Sequence, residues 1–187
     1  MQRGPLRVVT CVDIGAGLDQ ELCHHFIGGE MAHSLSGSLT RSVQEAIAKL
    51  KKTGFARDLL FIDTPGSMIG IVKAAVGVAD CIILPVQPSI LDMVAQEDAA
   101  DVVGDAGKDD RLLVVLNRVD GRTGIEDSVQ RAAKRFHHTP IKINQRIAWT
   151  RALIAGLSGA ELDKECARET AALWASVQKI LEEHRNG

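Results

Sequence analysis

Aromatic residues are scarce in this chain, 3% of the whole, and tyrosine is absent. That scarcity argues against recognition surfaces that stack bases on rows of Phe and Tyr, and against an all-β fold built on aromatic strands. The four cysteines, Cys11, Cys23, Cys81 and Cys166, form no CxxC pair. Cys11 and Cys81 lie inside apolar runs, where a reduced thiol serves as a small hydrophobe. Neither a zinc nor a disulfide framework is expected, and a reducing cytoplasm is the simplest location. The chain has no run of about 18 apolar residues to cross a bilayer. Its amino terminus, Met1-Gln2-Arg3-Gly4-Pro5, lacks the apolar stretch of a secretory signal. An excess of one charge is missing too. With 22 basic and 24 acidic residues the net charge is −2, so bulk charge indicates no nucleic-acid partner, although a local basic face is compatible with it. What is present is an ordinary soluble composition, 45% hydrophobic and 25% charged over 187 residues, which suits one domain spanning 1–187.

Five short apolar runs rich in β-branched residues stand out: Leu6 to Val12, Leu59 to Ile62, Cys81 to Val86, Leu112 to Leu116 and Ile141 to Ile143. They are continuous rather than alternating, as in parallel strands covered on both faces. Helical patterns separate them, over 39–50, over 89–106 and over 124–136. Ser158-Gly159-Ala160-Glu161 has capping-box spacing and precedes a long amphipathic pattern with Leu162, Leu173, Trp174, Val177, Ile180 and Leu181 on its apolar face. Its polar side carries Glu169, Glu182 and Glu183, which favours packing on a core over an anionic membrane. The expected architecture is α/β, a mostly parallel sheet with helices on both faces, joined by right-handed crossovers. Ligands then bind at the carboxyl ends of the strands.

The second run leads into Asp63-Thr64-Pro65-Gly66. An aspartate at a strand tip can hold Mg²⁺ through water, and a glycine three residues on lets a backbone N–H approach a terminal phosphate. A plain Pro-Gly turn has the same spelling. The fourth run leads into Asn117-Arg118-Val119-Asp120. Here Asn can exchange two hydrogen bonds with a purine edge and Asp can read ring or exocyclic N–H groups, while a simple loop start is the bland alternative. Together they place a phosphate-side and a base-side group on one rim of one sheet.

Asp63-Thr64-Pro65-Gly66, then Ala79-Asp80-Cys81-Ile82-Ile83-Leu84-Pro85-Val86-Gln87-Pro88-Ser89, then Asn117-Arg118-Val119-Asp120 resemble the ParA/MinD family of deviant-Walker partition ATPases in order and spacing. The two prolines bracketing the third strand's exit are the most specific part. The resemblance implies a P-loop NTPase-like sandwich and a dimerising ATPase that uses ATP and Mg²⁺ to position plasmid, chromosome or other cargo. It implies Asp63 as the Walker B aspartate acting on Mg²⁺ through water, and Thr64 and Gly66 beside the phosphates. Asn117 would contact adenine, with Asp120 beside it. Val9 to Gly15 is similar to the family's second strand, which ends in a water-activating aspartate, so Asp13 inherits that catalytic role. The partners it implies are non-specific DNA, a centromere-binding or other ATPase-stimulating protein, and a second copy of the chain, with no membrane.

The family's phosphate loop, KGGxGK(S/T), is absent from the sequence. That loop supplies backbone amides, a lysine and a hydroxyl to the phosphates and Mg²⁺. Gly104-Asp105-Ala106-Gly107-Lys108-Asp109 lacks its spacing and hydroxyl and reads as a helix end and turn. The expectation is a first β-loop-α unit missing ahead of Met1, hydrolysis impaired as a result, and an apolar slot left among the remaining strands. Arg131, Lys134, Arg135, Lys142, Arg146 and Arg151 form the main basic concentration, read either as a DNA-phosphate contact or as a solvated face. The histidine pairs His24-His25 and His137-His138 lack ligand spacing, so no resident metal site is expected there. Two other readings remain open: a nucleotide-independent adaptor or DNA-binding relative on the same scaffold, and a GTPase, since Asp-x-x-Gly followed by Asn-x-x-Asp also occurs in that superfamily.

Overall fold

The computed structural model describes residues 7–12, 59–64, 69–89, 92, 96–122, 137, 138 and 140–184. Each apolar run forms a strand: β1 (Arg7–Val12), β2 (Leu59–Thr64), β3 (Cys81–Val86), β4 (Leu112–Val119) and β5 (Ile141–Asn144). All pair in parallel, in the order β2-β1-β3-β4-β5. The described helices are α1 (Ile69–Val78), α2 (Glu97–Asp105), α3 (Ile147–Ile154), α4 (Gly159–Leu162) and α5 (Lys164–Glu183).

The unbroken apolar runs have a simple cause. Successive side chains of a strand point to opposite faces, and here both faces are covered. On β4, Leu112, Val114 and Leu116 join the core under α1 and α2, whereas Leu113 and Val115 join the core under α5, with Leu173, Val177 and Ile180. A third cluster sets Ile71, Ala74 and Ala75 of α1 over Val8, Leu60 and Ile62. The result is the three-layer sandwich expected from the sequence. Each fully buried Val, Leu or Ile contributes about 1.5–3 kcal/mol. The register of β1 on β2 is also pinned by buried hydroxyls. Thr10 Oγ1 donates to Ile62 O at 3.1 Å and Thr64 Oγ1 donates to Cys11 O at 3.0 Å. A slip of one residue breaks both bonds and turns every side chain to the wrong layer.

The expected slot is not present among the described strands. β1 is hydrogen-bonded to β2 through the registers Arg7↔Leu59 to Val12↔Thr64, and to β3 through Val9↔Cys81 to Cys11↔Ile83. A parallel strand left unpaired in a core strands its amide and carbonyl groups, and the apolar run Val8 to Val12 is itself the segment that satisfies them.

Two boundaries differ from the sequence reading. β2 runs to Thr64 and β4 to Val119, so Asp63 and Asn117 lie within their strands rather than beyond them. The carboxyl-terminal pattern is two helices. The Ser158–Glu161 capping box forms, but it starts the short α4, and Asp163 then caps α5 by accepting the N–H groups of Glu165 and Cys166, each at 2.9 Å. That second cap breaks the periodicity and leaves Leu162 exposed instead of on the buried face. The Gly104 to Asp109 segment is the helix end and turn expected. Gly107 has φ +64°, and Lys108 Nζ donates to the carbonyls of Val76, Gly77 and Ala79 at 2.9 Å each, closing the carboxyl end of α1. The helices expected over 39–50 and 124–136 lie outside the described residues.

Candidate functional site

In an open parallel sheet the crevice forms where the chain's crossovers diverge. Here they diverge between β1 and β3. From β1 the chain proceeds to β2 on one side, and from β3 it proceeds to β4 on the other. Asp63 on β2 and Asn117 on β4 flank that switch point toward the carboxyl ends of their strands, roughly 14 Å apart across the sheet, with Asp63 level with Leu113 and Asn117 therefore roughly 13 Å farther along the strand direction. An extended nucleoside triphosphate spans a comparable distance. Both groups lie in the carboxyl halves of their strands.

A cavity of about 770 Å³ opens at the carboxyl ends of β4 and β5. Its polar side is the β4 exit. Asn117 is buried, and its Oδ1 accepts the N–H of Arg118 at 3.0 Å. Arg118 takes a left-handed φ of 54°, and the β4–β5 register shifts between Leu116 and Val119. A non-glycine residue in that conformation is strained, a state that folds retain chiefly at ligand sites and turns. Asp120 is clamped by Arg122, whose Nε donates to Oδ1 at 2.9 Å, NH2 to Oδ2 at 2.8 Å and backbone N–H to Oδ1 at 3.1 Å. The side-chain hydrogen bonds from Arg122 come first among the causes that lower the Asp120 carboxyl to about 2. An NMR titration of Asp120 is expected to show a midpoint near 2, rising toward the ordinary carboxylate value in Arg122→Ala. The sign follows from the clamp, which favours the ionised form. Any stability it lends is present above the unfolded carboxylate range and is lost as pH falls through about 2.

The opposite side of the cavity comes from β5, α3 and α4. Trp149 of α3 is a lining residue, and its Nε1–H donates to Asn144 O at 3.2 Å. Glu169 of α5 organises the turn between β5 and α3. It accepts Asn144 N–H at 3.1 Å, Asn144 Nδ2–H at 2.6 Å and Arg146 NH2 at 2.9 Å. Arg146 is thereby ion-paired to Glu169, with 31% of its side chain exposed. Arg151 of α3 is exposed. Arg131, Lys134 and Arg135 lie outside the described residues, as do Asp13 and Gly66.

The Thr64 hydroxyl is buried and donates to the carbonyl of Cys11 on β1 at 3.0 Å. Asp63 is partly exposed at the carboxyl end of β2. One carboxylate acting through water fits Mg²⁺, which keeps several of its waters. Among the described residues no group of three or more His, Cys, Asp and Glu side chains is placed to hold a metal ion directly. No described helix is long and apolar enough to cross a membrane. Arg122, Asn144, Trp149 and Glu169 were not singled out in the sequence as site residues.

No protein-family model matches the chain, and no curated protein matches it in sequence. Solved structures do match it in fold. MinD from Pyrococcus horikoshii, solved with Mg-ADP, superposes with a TM-score of 0.65 at 14% identity over 97% of each chain. The cell division ATPase MinD of Pyrococcus furiosus gives a TM-score of 0.59 at 21% identity, covering 76% of this chain and 59% of that one. A ParA family ATPase from Chlorobium tepidum gives 0.57 at 15% identity, over 96% of this chain and 88% of that one. With its described parallel five-stranded sheet and helices on both faces, the chain shares the fold of those MinD and ParA family ATPases.

Proposed function

We propose that this chain is a positioning protein of the ParA/MinD type that holds an adenine nucleotide along its carboxyl edge, with the phosphates toward Asp63 and the base toward Asn117. The observation that carries this reading is the switch point: Asp63 and Asn117 flank it, and the cavity opens beside Asn117. The Mg-ADP in the Pyrococcus horikoshii MinD makes an adenine nucleotide with Mg²⁺ the first ligand to try. Asp63 would hold Mg²⁺ through water, Gly66 would admit a phosphate, and Asp13 would orient the attacking water.

Hydrolysis is weak in this proposal, for an electrostatic reason. Between the end of β1 and Arg41 the sequence contains no lysine or arginine, but it contains Asp13, Asp19, Glu21 and Glu30. Phosphoryl transfer depends on cations and amide donors around the phosphates. Four acids with no base close in sequence to the switch-point strand disfavour triphosphate there. The cargo is plasmid or chromosomal DNA, bound non-specifically through Arg131, Lys134, Arg135 and Arg151. The protein partners are a second copy of the chain and an ATPase-stimulating or centromere-binding protein.

Calorimetric titration with Mg-ADP and Mg-ATP tests the reading. Micromolar binding is expected, weakened about tenfold or more in Asn117→Ala by loss of hydrogen bonds to the base. Loss of the Mg²⁺ dependence is expected in Asp63→Asn. Absence of binding at millimolar nucleotide would sink it and leave the nucleotide-independent adaptor, which the missing KGGxGK(S/T) loop favours. A GTPase is disfavoured because the aspartate that would read guanine is already held by Arg122.

A further inference from the structure

The wall of the cavity opposite Asn117 is unusually well fixed for a surface turn. Trp149 is tethered at its Nε1 by the carbonyl of Asn144. Its six-membered ring lies directly against Gly159, where an added Cβ would meet Cε3 at 2.2 Å, Cζ3 at 2.6 Å and Cδ2 at 2.8 Å. Gly159 in turn is held at the start of α4 by the capping box, in which the Ser158 N–H and hydroxyl both donate to Glu161 Oε2, at 2.7 and 2.9 Å. The backbone of Asn144 is locked by Glu169. The indole is therefore set from two independent directions. Beside it Ile147 and Leu153 also line the cavity and add apolar surface to it. Polar groups thus converge from β4 and apolar surface from α3, the division that ligand pockets use to orient a planar ring.

We infer that Trp149 is a binding residue of this cleft, forming the wall against which a purine ring lies, and that Gly159 is the positioning residue that sets the indole. The inference rests on the cleft being the base end of the nucleotide site proposed above. Stacking of a base on an aromatic ring contributes enough to change affinity by about one order of magnitude or more. It favours the larger purine over a pyrimidine because more ring is covered. Phenylalanine retains a π-face, whereas leucine retains only apolar bulk, so the two substitutions separate stacking from packing.

The test uses Trp174→Phe as the parent, which leaves Trp149 as the sole fluorophore. Titrated with Mg-ADP, the parent is expected to lose indole emission and to gain protection from acrylamide. Mg-CDP is expected to bind more weakly. Trp149→Leu in this parent should raise the Kd for ADP about tenfold or more, measured by calorimetry, and erase the purine preference, while Trp149→Phe stays within about threefold. Equal ADP affinity in Trp149→Leu, with the purine preference intact, overturns the inference while leaving the nucleotide site standing. No binding of ADP by the parent removes both. If Trp149→Leu fails to fold, as its melting curve would show, acrylamide quenching of the parent decides: no protection by ADP overturns the inference.

Discussion

Replacing Gly159 by alanine is expected to lower the melting temperature by several degrees and to shift the emission of Trp149 toward that of a solvated indole. An added methyl at 2.2 Å from Cε3 overlaps an aromatic ring that has little freedom to retreat. Moving the ring stretches the Nε1 bond to Asn144, and moving Gly159 instead breaks the Ser158–Glu161 box. Overpacking of this kind costs about 1–3 kcal/mol, and for a chain of this size each kcal/mol lowers Tm by about 2–4 °C. Valine should be worse than alanine. Thermal unfolding followed by circular dichroism measures the loss. A Gly159→Ala protein that melts with the parent would mean that Trp149 is not packed as described. The double variant Gly159→Ala with Trp149→Ala should recover part of the loss, because the added methyl then meets open space.

Glu169→Ala is the second change with a large expected effect. The carboxylate has only 11% of its side chain exposed and accepts three hydrogen bonds, two from Asn144 and one from Arg146. Truncation leaves a backbone N–H and a guanidinium without their acceptor, and Arg146 Nε is already buried without a partner. Breaking a well-buried pair costs about 3–5 kcal/mol. Arg146 is 31% exposed, however, so water can reach part of it, and about 2–3 kcal/mol is the fitting magnitude. Urea unfolding should show a lower midpoint with an unchanged slope. A double-mutant cycle with Arg146→Ala should give a clear coupling between the two residues, and Glu169→Gln should fall between parent and Ala. An additive cycle would remove Arg146 from the account of this turn.

The sheet was legible in the sequence because its strands are covered on both sides. A run such as Cys81 to Val86 has no polar position to confuse with a surface strand, and α2 falls within the helical pattern over 89–106, whereas α1 was not read from the sequence. The apolar runs leading into Asp63 and Asn117 were legible, but each strand continues past the polar residue, to Thr64 and to Val119. Lateral order was not legible. Nothing local in Val8 to Val12 states that it lies between β2 and β3, since that outcome is a competition among strands for backbone partners. Side-chain direction at the rim was equally hidden. Thr64 and Arg146 have the chemistry of ligand contacts, yet the first satisfies a carbonyl of β1 and the second a carboxylate of α5. The two-helix carboxyl terminus escaped notice because Asp163 is a competent cap inside a pattern that otherwise continues. The wall at Trp149 depends on Gly159, and a glycine in sequence does not reveal what would have collided with a larger residue.

The central place of β1 has a consequence for how the molecule comes into being. Val8 is bonded to Asp80, 72 residues away, and Thr10 to Ile62, 52 residues away. During synthesis β1 emerges before both of its described neighbours, β2 from Leu59 and β3 up to Ile83. Until they follow, an apolar strand waits in a growing chain without the described partners of its donors and acceptors. A deletion that reaches β1 consequently strikes the middle of the described sheet and not its fringe.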